Sequence, residues 1–116
     1  MTKVLFVCSQ NRLRSATAER VFSGRAGLDV RSAGTDHDAR VPVSGDLVSW
    51  ADVILVMENR HRNIIRRRFG AACAGKRLIT LHVPDEYDFM DPALVQILED
   101  AVGPHLRRMP HAGDDE

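Results

Sequence analysis

The chain has 116 residues, a formal net charge of zero and 44% hydrophobic residues, which fits one soluble globular domain with a single core. No stretch approaches the roughly 20 apolar residues that a membrane span needs. Lys3 precedes only a short apolar run without a small-residue cleavage site, so we expect no signal peptide. We predict one domain over residues 1–109 and a short, acidic, disordered tail over 110–116.

The two cysteines, Cys8 and Cys73, lie far apart and show no disulfide-framework spacing. This pattern favours a reduced, cytoplasmic setting, and it offers no readable metal cluster. We therefore expect neither a metal nor another cofactor. A disulfide between the two cysteines is an open alternative as a redox switch, which the position of Cys73 in the small-residue segment 70–75 does not favour.

Strand and helix patterns alternate along the chain. Apolar runs predict strands at 3–7, 28–32, 51–57 and 77–82. Helical spacing and caps predict helices at 15–23, 44–50 and 58–69, and a last helix from 91 that Gly103 and Pro104 stop or bend. This alternation predicts an α/β domain in three layers, with a four-stranded parallel sheet covered by helices on both faces.

The segment between the first strand and the first helix carries the chemistry. A strand, tight loop and helix aim several backbone N–H groups at one point, which binds anions and above all phosphate. Cys8 would lie at the floor of the loop as a thiolate, because a helix N-terminus and a nearby cation favour the ionised, nucleophilic form. The planar Arg14 guanidinium matches two phosphate oxygens and would stabilise transition-state charge. Ser15 could donate to the sulfur, and Asn11 tolerates a left-handed backbone.

The other side chains of this loop would surround a bound substrate. With Asn11 they form the expected substrate-binding set, and they are Ser9, Gln10, Arg12 and Leu13. Glu86 and Tyr87 are expected at the pocket mouth, where Tyr87 either stacks on an aryl ring or packs against the loop. Arg40, in the loop after the second strand, is either a residue of the pocket rim or a solvated arginine.

A cysteinyl-phosphate mechanism needs a general acid that later acts as a base. Asp85 suits this role, because it follows the fourth strand in an irregular segment. Asp91 competes with it, but an aspartate just before Pro92 and an apolar periodic stretch is typical of a helix N-cap. Asp88 is a weaker third candidate.

At these residues the sequence resembles the low-molecular-weight protein tyrosine phosphatases, most of all a compact bacterial branch. Their signature is a strand ending in cysteine, five residues, then Arg-Ser, with asparagine at the fourth loop position, which Cys8, Asn11, Arg14 and Ser15 match. The resemblance continues through residues 18–22, 31–35, 51–57 and 83–87. It implies a phosphotyrosine-phosphatase-like fold and cysteine-dependent hydrolysis of phosphomonoesters.

The sequence departs from the family pattern at four places. Gln10 replaces a glycine, Leu13 a second loop cysteine and Ala16 a proline, and the Asp-Pro-Tyr acid motif reads Asp-Glu-Tyr at 85–87. The nucleophile is intact, whereas substrate choice and redox protection are open.

We therefore predict a phosphomonoester hydrolase, a protein tyrosine or aryl phosphatase, with phosphate or another oxyanion in the loop. Its partner would be a phosphorylated protein or a small phosphoester. One alternative is an arsenate reductase that relays oxidation through Cys73. Another is a non-catalytic phospho-ligand module, supported by the off-pattern Gln10 and Glu86. Arg14 argues against a sugar-transport phosphocarrier, which does not need it.

Arginines dominate the third predicted helix. They are Arg60, Arg62, Arg66, Arg67 and Arg68. Such a run is typical of a solvated helix face, and no aromatic residues interleave with it for base stacking. We expect no nucleic-acid partner and no membrane association, and the sequence leaves the oligomeric state open.

Overall fold

The computed structural model describes residues 1–106, so the predicted tail at 110–116 and the domain boundary before it lie outside the described residues. Strands and helices alternate along the described chain. The strands are β1 Thr2–Cys8, β2 Leu28–Gly34, β3 Val53–Val56 and β4 Arg77–Thr80. The helices are α1 Arg14–Phe22, α2 Gly45–Trp50, α3 Asn59–Cys73 and α4 Pro92–Leu106.

The strands form one parallel sheet in the order β2–β1–β3–β4. The central strands β1 and β3 are continuous apolar runs, as strands covered on both faces require. The registers pair Cys8 with Gly34 and Val7 with Val56, so the carboxyl ends of the strands meet at one edge of the sheet. The predicted four-stranded α/β fold is confirmed, and open α/β sheets bind ligands at this edge.

Side chains alternate across the sheet and build two cores. Phe6 of β1 and its neighbours at even positions face α1 and α4, where the Phe6 and Phe22 rings stack 5.6 Å apart. Leu5 and Val7 face the opposite way, toward α2 and α3. Helices therefore pack on both faces of β1, and this packing fixes the position of its carboxyl end.

Several predicted boundaries differ from the structure, and three of the differences have a physical reason in the contacts. β2 runs to Gly34, two residues further than predicted, because it pairs with the whole of β1. α3 leaves helical geometry at Phe69 but continues to Cys73, and alanines in the small-residue segment are strong helix formers. α4 continues past Pro104 to Leu106, since Val102 and Leu106 on either side of the proline pack against the core.

Within residues 1–106, no helix combines the length and the apolar character that crossing a bilayer demands. The same residues contain no group of three or more His, Cys, Asp or Glu side chains placed to hold a metal ion.

Candidate active site

We call the loop between β1 and α1, residues 8–14, the Cys8 loop. The backbone of the neighbouring loop after β2 holds it from outside. Thr35 N–H donates to the Cys8 carbonyl at 2.9 Å, Asp36 N–H to the Ser9 carbonyl at 3.0 Å and Arg40 N–H to the Gln10 carbonyl at 2.9 Å. The carbonyls at the start of the loop therefore point outward, away from the place where an anion would bind.

The close approach of these two loops requires a glycine at the end of β2. A Cβ on Gly34 would overlap the Ser9 carbonyl oxygen and would lie 2.7 Å from the Ala39 Cβ. Real Cβ atoms do not come this near to backbone. The packing of the Cys8 loop therefore leaves no room for a side chain at position 34, which lies in the segment 31–35 of the family resemblance.

Asn11 lies behind the loop rather than in the pocket. It is fully buried with a left-handed backbone at φ +57°, a conformation that asparagine tolerates. Its Nδ2 donates to the Ser15 and Ser32 hydroxyl oxygens, each at 2.8 Å, and the Ser32 hydroxyl in turn donates to the Glu19 carboxylate. This buried network ties the loop to both α1 and β2.

Cys8 is buried, with its Sγ 3.0 Å from the Ser15 Oγ. The Ser15 oxygen already accepts from Asn11, so its own proton is available to another group. The Ala33 carbonyl is the other neighbour, at 3.4 Å. The shorter contact favours donation from Ser15 to the sulfur, which stabilises a thiolate.

Arg14 is the largest fully buried side chain among the described residues, with a side chain only 2% exposed. Nη1 fixes the orientation of the guanidinium, because it donates to the Glu58 carboxylate and, at 2.8 Å, to the Val83 carbonyl. Nε and Nη2 donate no hydrogen bond to any residue of the described chain. This second edge has the two-pronged geometry that matches an oxyanion.

Glu58 was missed by the sequence analysis. It follows β3 directly and binds both Arg14 and Arg60, the latter at 3.1 Å. The hydrogen bond from Arg60, with a smaller contribution from Arg14, lowers the pKa of Glu58 from 4.5 to about 2, although burial opposes this shift. Its position at the carboxyl edge of the sheet was the signal that could have identified it.

His61, also missed, is fully buried beneath the Cys8 loop. Its Nδ1 accepts from the Glu58 backbone N–H at 3.1 Å, so Nε2 carries the proton and donates to the Ser9 hydroxyl at 2.9 Å. Burial, reinforced by the charges of Arg14 and Arg60, lowers the pKa of His61 from 6.5 to about 4. The neutral imidazole thus orients Ser9.

The candidate acids occupy different places. Asp85 lies at the pocket mouth, 56% exposed, with its Oδ1 3.7 Å from the Arg14 Nε. Asp91 caps α4, since its Oδ1 accepts from the Ala93 N–H at 2.9 Å. Asp88 accepts a backbone hydrogen bond from Asp91 and does not line the pocket. Tyr87 is likewise absent from the pocket lining and packs against the core instead.

The side chains converge on a cavity of about 210 Å³. It is lined by Cys8, Ser9, Gln10, Arg12, Leu13, Arg14 and Asp85. None of the backbone amides of residues 9–13 donates to a protein acceptor in the chain that the structure describes. Cys8 and Arg14 therefore share one small cavity, lined by a loop whose amides have no protein acceptor among residues 1–106, and such an arrangement suits a tetrahedral oxyanion.

Other predicted residues lie outside this cavity. Cys73, at the end of α3, packs on the core opposite to the one that contains Cys8, so the sheet separates the two thiols. Arg68 donates to the Thr35 carbonyl at 3.0 Å and supports the loop after β2. Together with the contact of Arg60 to Glu58, this makes part of the arginine run structural rather than merely solvated.

No family model matches the chain. The protein-arginine-phosphatase of Bacillus subtilis (strain 168) is 32% identical over 94 residues, covering 58% of this chain and 63% of that protein. The chain thus aligns with less than two thirds of the length of this curated relative.

Solved structures match over a larger share. A cysteine-to-serine mutant of the YwlE arginine phosphatase with a phosphorylated active-site serine has a TM-score of 0.71 at 21% identity, covering 92% of this chain and 95% of that one. The low-molecular-weight protein tyrosine phosphatase SP-PTP from Streptococcus pyogenes has a TM-score of 0.74 at 16% identity, covering 97% and 95%. The chain has the low-molecular-weight phosphatase fold over nearly its whole length, and its resemblance to that family is confirmed.

Proposed function

We propose that this protein hydrolyses phosphomonoesters through a cysteinyl-phosphate intermediate on Cys8. The observation that carries the proposal is that Cys8 and Arg14 line one cavity together with a loop whose amides have no protein acceptor in the described chain. Asp85 at the mouth of the same cavity supplies an acid. No step requires a metal or another cofactor.

In the first step the Cys8 thiolate attacks phosphorus, an S–P bond forms and the P–O bond to the leaving group breaks. Asp85 donates its proton to the departing oxygen. Arg14 and the loop amides hold the equatorial oxygens, where charge is spread in the transition state. The substrate phosphate enters between Arg14 and Asp85, which lie 3.7 Å apart without it.

In the second step water attacks the phosphorus of the intermediate. The Asp85 carboxylate, left as a base by the first step, accepts a proton from this water. The S–P bond breaks, its electron pair returns to sulfur and inorganic phosphate is released. The Ser15 hydroxyl, 3.0 Å from the sulfur, stabilises the departing thiolate.

Phosphotyrosine in proteins, or a smaller aryl phosphate, is our first substrate class. It is supported by the fold shared with a tyrosine phosphatase and by the motif residues of the Cys8 loop. The phosphorylated serine in the solved mutant of the arginine phosphatase supports a nucleophile at the cysteine position. The proposal includes a cytoplasmic setting, because a catalytic thiolate needs reducing conditions.

Phosphoarginine is the second candidate substrate. A specific observation favours it, since the curated relative at 32% identity is a protein-arginine-phosphatase. The same nucleophile and the same oxyanion cavity would serve a P–N bond. By contrast, the position of Cys73 across the sheet from Cys8 counts against an arsenate-reductase relay.

The test is a hydrolysis assay on p-nitrophenyl phosphate, a phosphotyrosine peptide and a phosphoarginine peptide. Cys8→Ser is expected to abolish phosphate release from every substrate that the native protein turns over, whereas Cys73→Ser, the matched control, retains it. Tight binding of the phosphopeptides without release by the native protein would support a binding module instead. Full activity of Cys8→Ser would contradict the mechanism.

A further inference from the structure

A second cavity adjoins the first one. Its volume is about 440 Å³, twice that of the phosphate site, and it lies between α1, the loop after β2 and the segment after β4. It is lined by Arg12, Ala16, Glu19, Arg20, Ser23, Arg40 and Phe89. Arg12 lines both cavities, so a substrate whose phosphoryl group occupies the first is within reach of the second.

The three arginines that line this cavity differ in how many partners their guanidinium groups have. Arg40 donates to the Asn11 carbonyl at 2.9 Å and lies 3.8 Å from Glu19, whose carboxylate also accepts from Ser32. Arg20, in contrast, has neither a hydrogen-bond nor an ion-pair partner in the part of the chain that the structure describes, although it faces the cavity. Arg12 makes one long contact, at 3.4 Å, to a backbone carbonyl. Two guanidinium groups are therefore available to an anion.

Each of the two cavities has one exposed, large apolar side chain in its lining. Leu13, 37% exposed, lines the first, and Phe89, 46% exposed, lines the second. Exposed large hydrophobic side chains are uncommon on the described surface, where only Met1 and Val41 join them. Apolar contacts beside unpaired arginines are typical of surfaces that bind protein segments.

We propose that the second cavity binds an acidic side chain next to the phosphorylated residue of a protein substrate. The inference rests on the proposed function and specifies its substrate. The phosphoryl group would occupy the first cavity, while the peptide crosses Leu13 and Phe89 and places an aspartate or glutamate against Arg20 and Arg12. A small bisphosphate would leave Leu13 and Phe89 uncovered, which is why we favour a peptide.

Two series of phosphopeptides test this, one with acidic and one with neutral residues flanking the phosphorylated position on either side. Arg20→Glu is the informative variant, because Arg20 supports no other described residue. Arg67→Glu on the exposed surface of α3 is the matched control, since it changes the net charge equally. Phe89→Ala tests the apolar contact, and p-nitrophenyl phosphate measures activity that does not involve the second cavity.

We expect Arg20→Glu to lower kcat/KM on the preferred acidic peptide roughly fivefold, with the neutral peptide and p-nitrophenyl phosphate unchanged. The preference for acidic peptides should weaken at high salt. Arg67→Glu should keep it. Equal kcat/KM for acidic and neutral peptides, or a preference that survives Arg20→Glu, would overturn the inference.

Binding to Cys8→Ser protein, measured by calorimetry, gives a second readout that needs no turnover. The acidic peptide should bind more tightly than the neutral one, and adding Arg20→Glu should remove the difference. If p-nitrophenyl phosphate and the peptides are not hydrolysed by the native protein, the proposed function fails. If they are hydrolysed without discrimination, only the second cavity has been assigned wrongly.

Discussion

The two segments that form the candidate site are built in different ways. The Cys8 loop is enclosed by the loop after β2, by the buried Asn11 network and by His61. The segment after β4, residues 83–91, is largely exposed. It is fixed mainly near its two ends, where the Val83 carbonyl accepts from Arg14 and the Met90 N–H donates to the Thr17 hydroxyl at 3.0 Å.

This difference separates two tasks of the mechanism. In the proposed mechanism Cys8 and Arg14 are held by contacts within the protein, and such pre-organisation is the condition for strong electrostatic stabilisation. Asp85 is more than half exposed, and its ion pair with Arg14 is long, at 3.7 Å, so in the proposed mechanism its position depends on the leaving group. Changes at Cys8 or Arg14 should therefore affect all substrates alike, while changes at Asp85 should depend on the leaving group.

Arg14→Lys should have the largest effect in this comparison. A lysine cannot offer a two-pronged edge to the oxyanion while also binding Glu58 and the Val83 carbonyl. We expect kcat to fall about a thousandfold on phenyl phosphate and p-nitrophenyl phosphate alike. Steady-state kinetics on both substrates measures this, and a loss confined to one leaving group would show that the loop does not act as a substrate-independent cradle.

Asp85→Asn should discriminate between leaving groups. A poor leaving group such as phenol needs its proton, so we expect kcat to fall about a hundredfold on phenyl phosphate. The loss should be much smaller on p-nitrophenyl phosphate. Asp91→Asn, which alters only the cap of α4, is the control and should leave the ratio of the two rates unchanged. Equal and negligible losses for Asp85→Asn would remove this residue from the mechanism.

Gly34→Ala tests the enclosure of the Cys8 loop. The new methyl group would displace the Ser9 carbonyl, so we expect the free energy of unfolding to fall by about 2 kcal/mol and activity to fall on every substrate. Gly45→Ala is the matched control, because no heavy atom lies within 4 Å of a Cβ there. Urea denaturation of both variants makes the comparison, and a native-like Gly34→Ala protein would contradict the close packing.

His61→Asn should give the smallest effect at neutral pH, and its consequence is a changed pH dependence of stability. The folded protein keeps His61 neutral down to a pKa of about 4, whereas the unfolded chain takes up a proton near pH 6.5. The contribution of the neutral His61 to the free energy of unfolding is therefore fully present above pH 6.5. It is lost as the pH drops toward 4, by up to about 3 kcal/mol. Urea denaturation at several pH values should show a smaller fall in the His61→Asn protein than in the native one, whereas parallel curves would contradict a buried neutral imidazole.

The parallel fold was predictable because β1 and β3 are continuous apolar runs, and the position of Cys8 follows from the end of the first run. Asp85 and Asp91 were separable by the proline that marks a helix start. Glu58 and His61 were both missed, because each acts on a residue far along the chain, Glu58 on Arg14 and His61 on Ser9. Only the position of Glu58 at the carboxyl edge of the sheet was a signal in the sequence. Tyr87 was expected at the pocket mouth, yet a half-buried aromatic ring also fits the core, and sequence spacing does not distinguish the two positions.

Direct detection of the covalent intermediate tests the central claim. Asp85→Asn protein is mixed with p-nitrophenyl phosphate, and the reaction is quenched in acid. The protein is then digested, and the mass of the peptide that contains Cys8 is measured by mass spectrometry. The account predicts one added phosphoryl group on the Cys8 sulfur, and none at that position in Cys8→Ala protein. Continued hydrolysis with no label on Cys8, or with the label on another residue, would contradict it.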